Sequence, residues 1–436
     1  MQIPKRISAS LINSLRGGVV PRIGLPYIAV GREGEINALL HDIDIIENGG
    51  AGFRFVSGRY GSGKSFLMQM IRSHVMDRNF VVMDADLSPE RRLSGSKGQG
   101  LATYRELMSN ISTKTRPEGG ALALILEKWI SGIKTDLVLS GVCEDNSDEF
   151  NKMIQLKVFE VIGEIEDMVH GFDFAKAVSI YYKAYTDGDE DKKGAALRWF
   201  RGEYTTKAQV KAELGINVII NDEDWYDYIK LFSLFLVKAG YSGLLIIIDE
   251  LVNIYKIPNS ITRQYNYEKI LTMYNDALQG KAKYMGILMG ATPKCIEDSR
   301  KGIFSYEALK SRLEKSRFND GKEQDMLSPV IYLSLLSQEE IFVLIEKLAA
   351  IHKNLFEYAY TLTDNEIEAF IKAEYSRVYA DENLTPREII RDFIELMNII
   401  YQNKGKDFIS LLGEQADNLG KNESGDIDDE FADFDV

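Results

Sequence analysis

Eight residues, "GRYGSGKS" from Gly58 to Ser65, have the types and spacing needed to hold phosphate. Glycines in such a loop let the backbone turn tightly, so that its N–H groups point at phosphate oxygens. A helix starting just after the loop adds its N-terminal partial charge. The spacing Gly58-x4-Gly63-Lys64-Ser65 is the P-loop pattern, in which Lys64 reaches the β- and γ-phosphates and the Ser65 hydroxyl ligates Mg²⁺. Gly58, Arg59, Tyr60, Gly61, Ser62, Gly63, Lys64, Ser65 and Phe66 are therefore the expected surroundings of a nucleotide, ATP with Mg²⁺. The competing reading is a glycine-containing turn that matches by chance.

A second stretch supplies what hydrolysis needs. "LLIIIDE" places Asp249 at the end of five large aliphatics, where its carboxylate can hold Mg²⁺ through water. Glu250, the next residue, can polarise a water for attack on the γ-phosphate. The alternative treats both as polar residues that end a strand. "GATP" then offers Thr292, either as a sensor hydroxyl between water and γ-phosphate or as a plain Thr-Pro turn. In "YEALKSRLEKSRF", Arg312 and, as second choice, Arg317 are candidates for an arginine finger, against the reading of ordinary helix-surface arginines.

In "LTPREIIRDF", Thr385 reads as an N-cap, Pro386 as the first helical residue and Glu388 as the capping-box partner. Arg387 then falls in the first turn, where a cation gains nothing from the helix dipole. That placement suggests contact with the γ-phosphate, with Arg391 one turn on as second choice and a surface arginine as the alternative.

These residues need a scaffold that brings them together. "FRFVSG" reads as a short strand running into the glycine loop, and "SFLMQMIRSHVM" as the helix after it. "NFVVMDADLS" reads as the next strand, which completes a βαβ opening. "GLLIIIDE" and "KYMGILMGATP" are buried parallel strands by their unbroken apolar runs. Thr103 to Ala239 shows helical periodicity, and after about Ser328 the chain reads as helical again. The fold class is α/β, a P-loop parallel sheet with a large helical insertion and a C-terminal helical lid. The expected boundaries are 1–115 for an N-terminal segment and the first half of the core, and 116–240 for the insertion. The second half of the core then takes 241–327, the lid 328–412, and a disordered acidic tail 413–436. "RRLSGSKGQG" after the second strand reads as a flexible basic loop.

Composition narrows the class of protein. With 45% hydrophobic and 27% charged residues the chain reads as soluble and globular. No apolar run approaches the roughly 20 residues that span a bilayer, and "MQIPKRISAS" lacks a secretory apolar stretch. Cys143 and Cys295 are too few and too distant for a disulfide framework, so a reducing cytoplasm is expected. From Glu414 onward nine acids face Lys421 alone, so this tail carries −8 of the net −14. The mildly acidic remainder argues against nonspecific wrapping by nucleic acid.

The order of parts, with P-loop, "DE", threonine, downstream arginine and a helical lid bearing an early arginine, resembles an AAA+ ATPase. "YIAVGREGEI" is similar to the "VGRE" segment of the origin-recognition and Cdc6-like branch, which implies that Val30, Gly31 and Arg32 lie beside the adenine. "LRGGVVP", "IAVGRE", "FRFVSGRYGSGKSFL", "ALRWFRGE", "AGYSGLLIIIDEL" and "TPREIIRDF" together resemble the BREX-type, BrxD-like ATP-binding proteins of bacterial antiphage defence. That resemblance covers nearly the whole chain. It implies an oligomeric, DNA-linked ATPase working with other proteins of its operon.

Two functions follow for comparison. One is an AAA+ ATPase that forms a homo-oligomer and acts on DNA or a DNA-bound partner, with Arg91, Arg92 and Lys97 facing a channel. The other is a slow nucleotide-gated switch or scaffold that recruits partners, for which Phe431 and Phe434 in the acidic tail are anchor candidates. A small-molecule kinase fits less well, because Glu250 favours water as the acceptor.

Overall fold

Leu244–Ile248 are large and aliphatic on every position, so neither face of that strand can be left in water. The computed structural model describes residues 3–140, 148–166, 168–315, 325–376, 384–403 and 405–413. Its sheet has five strands, β1 (Ala51–Ser57), β2 (Val81–Asp86), β3 (Leu244–Asp249), β4 (Met285–Ala291) and β5 (Val330–Tyr332). They run in the order β2-β3-β4-β1-β5, and every pairing is parallel. Register aligns the C-terminal ends along one edge: Asp86 opposes Asp249, while Ser57 opposes both Ala291 and Tyr332. Open parallel sheets bind ligands at that edge.

The chain divides into two compact units. One comprises Gly34–Arg59 and Met70–Leu333 and contains the whole sheet. Between β2 and β3 the described residues form seven helices, from Gln99–Ser109 to Trp225–Lys238. Their apolar faces join the sheet residues in one continuous core. Trp129, Trp199 and Trp225, the three tryptophans of the chain, are all buried there. Trp129 meets Phe235 edge to face at 5.1 Å between centroids, and the Trp199 indole N–H donates to the Val218 carbonyl. The Trp199 bond gives the polar edge of a large buried ring a partner.

The other unit comprises Met1–Glu33, Tyr60–Gln69 and Ser334–Val436. Helices Lys5–Arg16, Gln338–Phe356, Asp364–Tyr375 and Pro386–Gln402 bury Leu11, Leu348, Phe370 and Phe393 in one core. Phe66, on the first turn after the glycine loop, packs against that core. Ser337 and Glu340 form a reciprocal capping box, as do Thr363 and Glu366, so these helices start where their orphan N–H groups are satisfied.

Two expectations need correction. Val330–Tyr332, read as the start of a helical stretch, is the edge strand β5 on β1. Three residues are too few to show a period of two. The basic loop after β2 is clamped rather than flexible: the buried Asn266 carboxamide accepts from the Leu93 and Ser94 N–H groups and donates to the Ser94 carbonyl. Asp222 accepts from the Gly98 and Leu101 N–H groups at the far end. Both clamps come from far along the chain, where no local pattern could announce them.

A buried ion pair ties β1 to the preceding helix Glu33–Glu47. Arg54 donates to Asp42 through Nε at 2.6 Å and Nη2 at 2.8 Å, and its Nη1 donates to the Leu327 and Ser328 carbonyls. Both side chains are about nine-tenths buried. Asp42→Ala strands the guanidinium and is expected to lower stability by about 3–5 kcal/mol in urea unfolding. Lys114→Ala, which breaks the exposed Lys114–Asp77 pair, is expected to change little.

Candidate functional site

β1 delivers the chain straight into the glycine loop, and helix Lys64–Asp77 begins at the loop's lysine. Gly58 donates its N–H to Ala291, the last residue of β4, so the loop starts anchored to the sheet edge. Gly61 and Gly63 have φ of 75° and 95°, the left-handed region that glycine takes without a steric penalty. A Cβ on Gly61 would stand 2.6 Å from the Thr385 hydroxyl oxygen, whereas one on Gly63 would meet nothing within 4 Å. The Ser62 hydroxyl is buried with no protein partner among the described residues. A left-handed double turn, a helix N-terminus and a buried unmatched hydroxyl fit a phosphate chain lying in the loop.

The side chains of the loop differ in exposure. Tyr60 is 53% exposed, and the Lys64 ammonium lies 5.4 Å from its ring centroid, a cation–π arrangement. Arg59 is exposed, Ser65 and Phe66 half-buried.

The segment read as base-proximal, Val30–Arg32, is held on three sides. Lys347 donates to the Ala29 carbonyl at 2.7 Å. Gly31 has φ of 63°, and a Cβ there would collide with the Glu340 carboxylate. Arg32, only 5% exposed, donates from Nη2 to the Ser62 carbonyl at 3.2 Å and to the Ser334 carbonyl at 2.8 Å. Val30 packs at the border of the helical core.

Asp249 and Glu250 end β3 in a constrained turn. The Asp249 carboxylate accepts from the Glu250 N–H at 2.8 Å, and Glu250 has φ of 60°. That conformation is strained for a residue with a side chain and persists only where its surroundings hold it. They do: Leu87 donates to the Asp249 carbonyl, Leu251 donates to Gly290 on β4, and Asn253 donates to both the Leu87 and Glu250 carbonyls. Asn253 and Asp86 are the residues that sequence reasoning missed. Asp86 had a findable signal, the "DAD" ending of a strand.

Asp86 faces Asp249 across the ladder. Reduced hydration at the crowded strand end, then the charges of Asp249, Glu250 and Asp84, push its carboxyl above the usual range, with Arg91 opposing. Among the described residues no three His, Cys, Asp or Glu side chains form a metal cage. Mg²⁺ needs none, since it binds through one or two protein groups with water and phosphate oxygens completing its shell.

The remaining candidates are placed as follows. Thr292 caps the short helix Pro293–Glu297, its hydroxyl oxygen accepting from the Cys295 N–H at 3.3 Å. Arg312 is exposed at the end of helix Glu307–Leu313 and donates to the Ala308 carbonyl. Arg317, Cys143, Phe431 and Phe434 lie outside the described residues. Arg387 is exposed in the first turn of Pro386–Gln402, where Glu388 accepts from the Thr385 N–H and hydroxyl. Arg391 is exposed beside Asp392. Arg91 pairs with Glu106 at 3.2 Å, Arg92 is half-buried and Lys97 is exposed. Cys295 is buried, its thiol pushed up to about 12 by burial, so it is unreactive.

A parallel α/β sheet with a glycine loop and helix after its first strand, and an aspartate ending a buried neighbour-but-one, is consistent with a P-loop nucleotide-binding protein. The chain belongs to a defined group within that class: residues 3–416 match the family of BREX system ATP-binding proteins BrxC/D. No curated protein matches the chain significantly. No helix among the described residues is long and apolar enough to cross a membrane.

The carboxylate cluster predicts a pH effect. A raised folded-state value means that ionising Asp86 opposes folding at neutral pH, and that this penalty vanishes once Asp86 is protonated in both states. Asp86→Asn is therefore expected to raise the thermal midpoint of the ligand-free protein at pH 7, with the gain fading as pH falls through the carboxylate range. A gain that persists at pH 3 would have another origin.

Proposed function

We propose that this BREX-family protein is an AAA+ ATPase that binds and hydrolyses ATP with Mg²⁺ in bacterial antiphage defence. On this reading it works in the cytoplasm as a homo-oligomer, on DNA or a DNA-bound partner, alongside other proteins of its operon. The observation that carries hydrolysis is Glu250, held in a strained left-handed turn directly after Asp249 at the end of a buried strand. Strain maintained by hydrogen bonds that tie the turn to Leu87 and Gly290 supports a carboxylate aimed for a task.

In this proposal the N–H groups from Gly58 to Ser65 and the Lys64 ammonium hold the phosphates, and Phe66 fixes the following helix. Ser65 and Asp249 hold Mg²⁺, which neutralises charge on the phosphate oxygens when bound. Glu250 orients and deprotonates the attacking water. Thr292 retains its hydroxyl hydrogen while its oxygen caps a helix, so it can still donate to that water or to phosphate. Arg312 is exposed as a residue reaching a neighbouring subunit must be, and Arg387 serves as the lid arginine. Residues 328–412 would act as the lid apart from β5, 116–240 as the insertion, and 413–436 as the acidic tail.

The Arg91–Glu106 pair favours a second reading, a slow nucleotide-gated switch or scaffold, because it removes a cation from the surface offered to DNA. Stimulation of turnover by DNA, lost as salt is raised, supports the motor. No stimulation, with assembly set by ATP alone, supports the switch.

Two variants test the site itself. Lys64→Ala is expected to weaken ATP binding at least about 100-fold in calorimetric titration, since it removes a charged contact to a partly desolvated phosphate. Glu250→Gln is expected to bind ATP within a few-fold of the parent while phosphate release falls about 100-fold or more. Undiminished ATP affinity in the first, or parental turnover in the second, would remove that residue from its role.

A further inference from the structure

We infer that Arg32 is a positioning residue that sets the phosphate-binding loop from behind, through the Ser62 carbonyl, instead of recognising the base. The inference rests on the reading of the glycine loop as the phosphate site. A loop that turns its N–H groups toward an anion must turn carbonyls the other way, and a buried carbonyl needs a donor. Arg32 supplies one for Ser62 and, from the same nitrogen, one for Ser334, just beyond β5.

The peptide bond makes this contact directional. The Ser62 C=O and the Gly63 N–H belong to one planar trans unit and point in opposite directions. Fixing the oxygen on Arg32 therefore fixes the direction of the Gly63 N–H, one of the donors available to a phosphate. Gly63 needs such a restraint: at φ 95° with no atom near a would-be Cβ, nothing packs against it on that side. A cation on the carbonyl also polarises the unit and strengthens its N–H as a donor.

The restraint is itself braced. Lys347 holds the Ala29 carbonyl, and Gly31 passes so close to Glu340 that no side chain fits. Glu340 is in turn fixed, accepting from the Ser337 N–H. The guanidinium thus sits on a backbone that two residues of helix Gln338–Phe356 hold in place, a geometry for aiming rather than for adaptive contact with a ligand.

Base contact and loop positioning differ in which ligand feels the loss. Calorimetric titration of the full chain with ATP and, separately, with inorganic tripolyphosphate measures both. Arg32→Ala is expected to weaken the two ligands by a similar factor, about 10- to 100-fold, as loss of a charged hydrogen bond to a buried acceptor implies. Arg32→Lys, keeping the charge but reaching one carbonyl at a time, is expected to recover part of the loss. Binding stoichiometry should stay at the parental value, whereas a folding defect would lower stoichiometry and leave Kd unchanged. Weaker ATP binding with undiminished tripolyphosphate binding, or no loss for either ligand, overturns the inference. If Arg32→Ala does not fold, the same comparison is read from Arg32→Lys. A parent chain that binds neither ligand points instead to failure of the phosphate-site reading.

Discussion

A backbone that offers its N–H groups to an anion creates a problem on its opposite side, and the glycine loop proposed to hold phosphate has contacts that would solve it. Gly61 and Gly63 supply the left-handed turns, but glycines are also the residues with most freedom to leave them. Something else must hold the loop. Here the Ser62 carbonyl is held by a guanidinium, Gly61 is packed against Thr385, and Phe66 is packed into a helical core. The unusual backbone is thereby held by its neighbour Phe66 and by Arg32 and Thr385, which are remote in sequence.

The sheet edge meets the opposite electrostatic demand. Parallel strands in register bring Asp86 beside Asp249, and the chain adds Glu250 at once. After reduced hydration, Asp249, Glu250 and Asp84 push the Asp86 carboxyl upward more than Arg91 draws it down. Behind them the strands are buried aliphatics, whose burial contributes stability that offsets a local repulsion. An edge that gathers acidic side chains and is mechanically held suits the proposed role of Asp249 beside a cation.

How much of this could be read from the sequence depended on how local the cause was. Helix Lys64–Asp77 and strands β1 to β4 follow from runs of a few residues, so "FRFVSG" and "LLIIID" announced themselves. β5 did not, because three residues next to Pro329 carry no periodicity and pairing with β1 alone defines them. The loop at 91–98 looked flexible because its glycines, serines and charges are visible locally, while Asn266 and Asp222 are not. Glu250 was legible as a carboxylate, but its left-handed backbone depends on Leu87, Gly290 and Asn253, which only folding assembles.

Arg32 shows the same limit from the other direction. Its neighbours "VGRE" invite a reading by resemblance, in which the side chain faces a base. In the fold the guanidinium donates to two carbonyls separated by 272 residues of chain, Ser62 and Ser334. A guanidinium suits that task better than an ammonium: its planar fork is already organised, it stays charged when buried, and it is less strongly hydrated. A lysine at 32 would have to surrender more hydration to enter a position where the arginine is only 5% exposed. These backbone acceptors carry no sequence signature of their own, and this is why the contacts behind the proposed positioning role are visible only once the loop is folded.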